Sequence, residues 1–185
     1  MIVSLPTLLS LVRMALAPFF MYFFLQGSYL VAVLIFTVAA LSDAFDGYIA
    51  RKYDMTSQLG AFIDPLADKV LIATALLCFI LKDFTSWWVL GVIVGRDVLV
   101  TWLRIAAQRR GAYLVTTRLA QYKTAAQMCM IYLAFVWLII HDSSSLAYPG
   151  LELCVKVFFY GVVTLTAYTG ADYVYRYLRL GNKGK

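Results

Sequence analysis

Polar and turn-forming breaks cut the chain into six mainly apolar stretches, at 7–26, 29–50, 60–81, 87–107, 119–140 and 150–178. The breaks are Gln26-Gly27-Ser28 and residues 51–58, 82–86, 108–118 and 141–150. A helix of about 20 mainly apolar residues crosses the hydrocarbon core of a bilayer, so each stretch is long enough for one crossing. The pattern predicts an all-α polytopic membrane protein with six transmembrane helices. No linker, low-complexity tract or internal repeat divides it, so residues 1–185 read as one domain. The Ala15-Leu16-Ala17 triplet follows no basic segment, and Arg13 interrupts the apolar core that a cleaved leader needs, so it is read as part of the first span.

Composition agrees: 63% of the 185 residues are hydrophobic and 14% charged. A soluble domain carries roughly 45–50% and about 25%, so disorder, coiled coil and collagen are excluded. Cys78, Cys129 and Cys154 are odd in number and lie in separate apolar stretches, which argues against a disulfide framework or a zinc site.

The net charge of +6 becomes informative through its positions. Arg51, Lys52, Arg109, Arg110, Arg118, Arg176, Arg179, Lys183 and Lys185 share one side of a six-span chain, while Lys82 is alone in the opposite connections. The positive-inside rule then puts both termini and the second and fourth connections in the cytoplasm, with the protein integral to the cytoplasmic membrane. Trp87, Trp88, Tyr173, Tyr175 and Tyr177 fall near span ends and are expected to anchor at headgroup level. His141, the one histidine, is expected in an extracytoplasmic loop. The basic tail from Arg176 suits anionic lipid headgroups rather than nucleic acid.

Five of the ten acidic residues lie between positions 43 and 68. Asp54 reads as a loop residue, which leaves Asp43, Asp46, Asp64 and Asp68. Helical residues three and four apart share a face, so Asp43, Asp46, Gly47 and Ala50 form one stripe ending the second span. Gly60, Asp64 and Asp68 form another that opens the third. Asp64-Pro65 also resembles a helix N-cap and first position; either reading keeps Asp64 and Asp68 about one turn apart.

Four bare carboxylates at the edge of a bilayer would repel one another and lose hydration. Divalent cations resolve this. An all-oxygen set without His or Cys suits Mg²⁺, Mn²⁺ or Ca²⁺ rather than zinc, and a pair of such ions about 4 Å apart serves displacement at phosphorus. The small residues leave room for a phosphorylated ligand, and Arg51 offers its oxygens a fork. A solvated ion network with Arg51, Lys52 and Lys69 would explain neither the small residues nor the spacing.

Residues 43 to 68 read D-x2-D-G-x2-A-R-x8-G-x3-D-x3-D, which resembles the signature of the CDP-alcohol phosphotransferases, integral membrane enzymes of phospholipid synthesis. The resemblance implies that family's six-helix fold, usually as a homodimer, and transfer of a phosphatidyl or related group from a CDP-linked donor to an alcohol with release of CMP. It further implies that Asp43, Asp46 and Asp64 are the principal ligands of Mg²⁺ or Mn²⁺, held as two ions. Asp68 is then the general base and also borders the metal site, and Asp43, Gly47, Ala50, Arg51 and Gly60 receive the cytidine diphosphate.

Leu5-Pro6-Thr7-Leu8-Leu9-Ser10-Leu11-Val12-Arg13, Gly95-Arg96-Asp97, Leu103-Arg104 and Lys123-Thr124-x2-Gln127 resemble segments of the phosphatidylglycerolphosphate synthases of that family. The expected donor is therefore CDP-diacylglycerol and the expected acceptor sn-glycerol 3-phosphate, with phosphatidylglycerol, the acceptor of cardiolipin synthases, as the alternative. Arg96, Arg104, Arg118 and Lys123 are the candidate acceptor-binding residues, since an unpaired cation beside a span is costly and a phosphate would offset that cost. A divalent-cation channel would also carry intramembrane acids, but its acids should continue along the pore, whereas these cluster on the cytoplasmic side.

Overall fold

Six helices follow one another among the described residues: α1 (Leu5–Leu25), α2 (Tyr29–Tyr53), α3 (Gly60–Leu81), α4 (Trp87–Arg109), α5 (Arg118–Ser143) and α6 (Pro149–Asn182). The computed structural model describes residues 5–53, 60–109, 118–143 and 149–182, and side chains at 10–42, 67, 69–108, 122–142 and 150–179. Each helix coincides with one apolar stretch to within a few residues. Helix α3 starts at Gly60, as the apolar stretch 60–81 expects, so of the two readings of Asp64-Pro65 the one with Pro65 inside the helix holds. One correction is local. His141 sits in the last turn of α5, its ring 4.9 Å from that of Trp137, instead of in a loop.

The turns have identifiable chemistry. Gly27 takes a left-handed φ of 79°, its N–H donates to Phe24 O at 3.1 Å, and the Ser28 N–H donates to Phe23 O at 3.0 Å. This is the Schellman arrangement that satisfies the last carbonyls of α1, and Ser28 O then accepts from Ala32 in the first turn of α2. The same pair of bonds closes α3, from Asp83 to Ile80 O and Phe84 to Phe79 O, each 3.0 Å. Here the left-handed residue is Asp83, with φ 56°.

The chain forms two compact units, Met1–Thr85 and Ser86–Lys185. In the first, α1 packs along both α2 and α3, which touch each other at few positions. Phe24 meets Phe20, Tyr29 and Phe79 with ring centroids 5.3–5.9 Å apart, and Phe20 meets Phe36 at 5.7 Å. These contacts plug the end where α1 finishes, α2 begins and α3 finishes. In the second unit, α6 packs against α4 and α5. Val100, Leu103 and Tyr173 form a buried cluster with Val174 and Tyr177 against it, and Trp88 stacks on Tyr160 at 5.8 Å.

Outward faces are apolar too. On α2, Ala32, Phe36 and Ala39 are buried while Leu30, Leu34, Val38 and Leu41 are exposed, a helix hydrophobic all round, as lipid requires. Among the described residues, Tyr122–Asp142 and Gly150–Arg179 are long and apolar enough to cross a membrane, and Ser10–Leu25, Tyr29–Ser42 and Lys69–Leu81 are shorter apolar segments. Trp87, Trp88 and Tyr175 are exposed as interfacial anchors should be, but Tyr173 is fully buried and is not one. It follows Gly170 by one turn on the inward stripe of α6.

A left-handed backbone costs an L-residue about 1 kcal/mol, which glycine avoids. Asp83→Gly should raise the unfolding midpoint in detergent and Asp83→Val should lower it, read by thermal denaturation.

Candidate active site

The acidic residues enter through helix register. On α2 the buried positions 32, 36 and 39 continue in the same 4-3 alternation through 43, 46 and 50. On α3 the buried positions 67, 71, 75 and 78 extend backwards through 64 and 60, and 72, 76 and 79 extend backwards to 68. Asp43, Asp46, Ala50, Gly60, Asp64 and Asp68 thus occupy positions on the inward stripes of their helices. Gly47 and Arg51 follow on the last turns of α2. The side chains of these residues lie outside the described ones. Among the described residues, no three His, Cys, Asp or Glu side chains gather into a metal site.

The helix directions bring the two acidic ends together. The Phe20–Phe36 and Phe24–Tyr29 contacts make α1 and α2 antiparallel, and Phe24–Phe79 makes α1 and α3 parallel. The C-terminal end of α2 and the N-terminal end of α3 therefore both lie at the start of α1, away from the aromatic plug.

Arg13, which sequence reasoning left as a motif match, belongs to this end. It is the largest fully buried side chain described, and its Nε donates to the Ala39 carbonyl at 3.2 Å. In an α-helix that carbonyl also accepts the N–H of residue 43, so Arg13 bonds to the helical turn that leads to position 43. Its signal in the sequence is that it is the single charge in the first apolar stretch.

The second unit holds a separate polar cluster. Asp97 Oδ1 accepts from Arg96 Nη1 at 3.1 Å and from Lys123 Nζ at 2.5 Å, joining α4 to α5. The Arg96 side chain is 10% exposed and that of Lys123 3%. The Arg96 guanidinium lies 5.5 Å from the centre of the Tyr173 ring, a cation–π distance. Arg104 Nη2 donates to the Tyr173 hydroxyl over a long 3.5 Å. Three of the four expected acceptor-binding residues, Arg96, Arg104 and Lys123, are thus linked through Asp97 and Tyr173. Arg118 opens α5, its side chain outside the described ones.

Not every donor here is used. Arg96 Nε and Nη2 and Gln127 Nε2 are buried without a hydrogen-bond partner among the described residues, the condition that a polar ligand relieves. Gln127 is one turn beyond Lys123 on α5. The sequence pattern named this glutamine only as a motif position, and Tyr173 only as an anchor. The spacing Thr166, Gly170, Tyr173, Tyr177 at three and four residues was the available signal of an inward stripe.

Residues 3–168 match the family model described as CDP-alcohol phosphatidyltransferase. The chain is 34% identical over 179 residues to a protein of Escherichia coli K12 named CDP-diacylglycerol–glycerol-3-phosphate 3-phosphatidyltransferase, covering 92% of this chain and 93% of that one. The same name and coverage apply to a relative from Shigella sonnei at 34% identity and one from Salmonella typhimurium at 33%.

Gly170 makes the cluster testable. A Cβ there would lie 2.8 Å from Arg96 Cγ, so Gly170→Ala should displace the arginine stem and cost about 1–2 kcal/mol, the overpacking penalty offset by alanine's better helix propensity. In an Arg96→Ala background the same substitution should stabilise, and a double-mutant cycle on unfolding midpoints checks the sign reversal.

Proposed function

The chain belongs to the CDP-alcohol phosphatidyltransferase family, and from that membership we propose that it transfers the phosphatidyl group of CDP-diacylglycerol to sn-glycerol 3-phosphate. The products are phosphatidylglycerol phosphate and CMP. One observation carries the reading: the eight-position pattern over residues 43–68 falls on two helix ends that lie at the same end of the first unit, in a chain similar along 92% of its length to enzymes named for this reaction.

The family generally uses divalent metal ions, and the donor set fits them. It consists of carboxylates only, on two helix ends, with small residues between. Asp43, Asp46, Asp64 and Asp68 would hold Mg²⁺ or Mn²⁺, as two ions. When bound, the ions supply charge neutralisation at the pyrophosphate oxygens. Gly47, Ala50 and Gly60 leave room for the cytidine diphosphate, and Arg51 grips its oxygens as a fork. Asp68 takes the proton from the acceptor hydroxyl as that oxygen bonds to the β-phosphorus. The bond from this phosphorus to the bridging oxygen breaks, and CMP leaves with the electron pair. Arg96, Arg104, Arg118 and Lys123 hold the phosphate of the acceptor.

The fold suits a lipid donor, whose tails stay in the bilayer while its headgroup enters the site. All six helices act as spans within a single domain of 185 residues, and the chain works as a homodimer. The charges that set α4 apart from the more apolar helices, Arg96, Asp97 and Arg104, have partners within the unit, which removes the main cost of placing them in lipid. With both termini cytoplasmic, the aspartates meet their soluble substrates on the cytoplasmic face.

Purified enzyme given CDP-diacylglycerol, Mg²⁺ and labelled glycerol 3-phosphate should yield phosphatidylglycerol phosphate and CMP. Cardiolipin from phosphatidylglycerol instead would replace the acceptor. Asp68→Asn should cut turnover by about 10²–10⁴-fold, the usual contribution of a general base, while CDP-diacylglycerol binding persists; near-native turnover refutes the base assignment. Lys123→Ala should raise the glycerol 3-phosphate KM by about tenfold or more, as expected for a lost charge-assisted hydrogen bond, and leave the donor KM nearly unchanged.

A further inference from the structure

Arginine binds a phosphate side-on through its Nε–H and the Nη2–H beside it, a planar two-donor fork. In Arg96 this edge is the one without a partner among the described residues, because Asp97 Oδ1 takes the opposite nitrogen, Nη1. The guanidinium is oriented from three sides. Asp97 holds Nη1 at 3.1 Å, the Tyr173 ring lies 5.5 Å from the guanidinium carbon, and Gly170 admits the stem. Asp97 Oδ1 also holds Lys123 Nζ, so the ammonium is kept near the same guanidinium. Gln127 Nε2, buried and without a partner among the described residues, is one turn along from that lysine.

We infer that Asp97 is a positioning residue for acceptor binding, which turns the Nε/Nη2 fork of Arg96 toward a phosphomonoester and holds Lys123 beside it, with the Gln127 amide as a further donor. This rests on the reading of Arg96 and Lys123 as acceptor-binding residues and deepens it. Asp97 touches no substrate; it acts through the two cations. A carboxylate suits the task because one of its oxygens can accept from both cations at once. A neutral amide at that place accepts more weakly and presents its own donors to them.

Binding of glycerol 3-phosphate to the full-length protein in phosphatidylcholine nanodiscs, measured by calorimetry with CMP present, tests this alongside steady-state kinetics. Asp97→Asn should weaken glycerol 3-phosphate binding and raise its KM at least tenfold, while the CDP-diacylglycerol KM stays within twofold; Asp97→Glu should restore most of the loss. Arg96→Lys, which keeps the charge but lacks the fork, should weaken binding as Asp97→Asn does, and it serves if the asparagine variant fails to fold. Gln127→Leu should raise the acceptor KM alone.

Unchanged or tighter binding in Asp97→Asn would make the carboxylate a mere counter-charge and overturn the inference, as would a lower unfolding midpoint with no split between the two KM values. Loss of glycerol 3-phosphate binding when phosphatidylglycerol is added to the nanodiscs would assign the fork to a lipid headgroup and overturn it too. If Lys123→Ala weakens binding and the Asp97 and Arg96 variants do not, the positioning role falls and the acceptor site stands; if none of the three does, the acceptor site itself falls.

Discussion

Ionised groups inside an apolar helix bundle persist only where a counter-charge, a hydrogen-bonding partner or a ligand meets them. This constraint organises the polar features of the protein. Arg13, fully buried, spends its Nε on a backbone carbonyl of α2. Asp97 answers two cations from different helices with a single oxygen. On the proposed reading, the mutual repulsion of the four aspartates at the ends of α2 and α3 is relieved by divalent cations and a pyrophosphate, so that these charges are compensated by ligands and those of Arg13 and Asp97 by the chain.

Packing and chemistry share one periodicity. The alternation of three and four that buries Ala32, Phe36 and Ala39 against α1 continues, without a change of phase, into Asp43, Asp46 and Ala50. On α3 the same holds in reverse from Leu71 and Ala67 back to Asp64 and Gly60. The aromatic plug around Phe24 fixes the helices at the far end, and the acidic ends inherit their register from it. A rigid apolar end is what a site built from helix termini needs, because a slip of one residue would rotate every aspartate by about 100° around its helix.

Much of this was legible in the sequence, because the signals are local. Apolar runs and turn residues marked all six helices, and the spacing from Asp43 to Asp68 marked the acids. Contacts between helices were not legible. Tyr173 near a span end reads as an interfacial ring, and only packing against Val100 and Leu103 shows it to be core. Asp97 could be expected beside Arg96, its neighbour in the chain, but the bond to Lys123, 26 residues away, is tertiary. Pro65, whose usual place is a first turn, left two readings of the Asp64-Pro65 backbone open, and the helix start at Gly60 decides between them. Arg13 was visible as a lone charge, yet its partner on α2 was not.

The acidic motif lies in the first unit and the linked basic residues in the second. The motif of the first is acidic and suits cations with a nucleotide pyrophosphate. The cluster of the second is cationic: Arg96, Arg104 and Lys123 are linked through one carboxylate, Asp97, and through the ring and hydroxyl of Tyr173. A phosphomonoester carries about −1.5 to −2 at neutral pH, so it would offer such a cluster more counter-charge than a phosphodiester lipid, which carries one negative charge. On the proposed reading the single aspartate orients the donors, since one of its oxygens accepts from cations on two different helices.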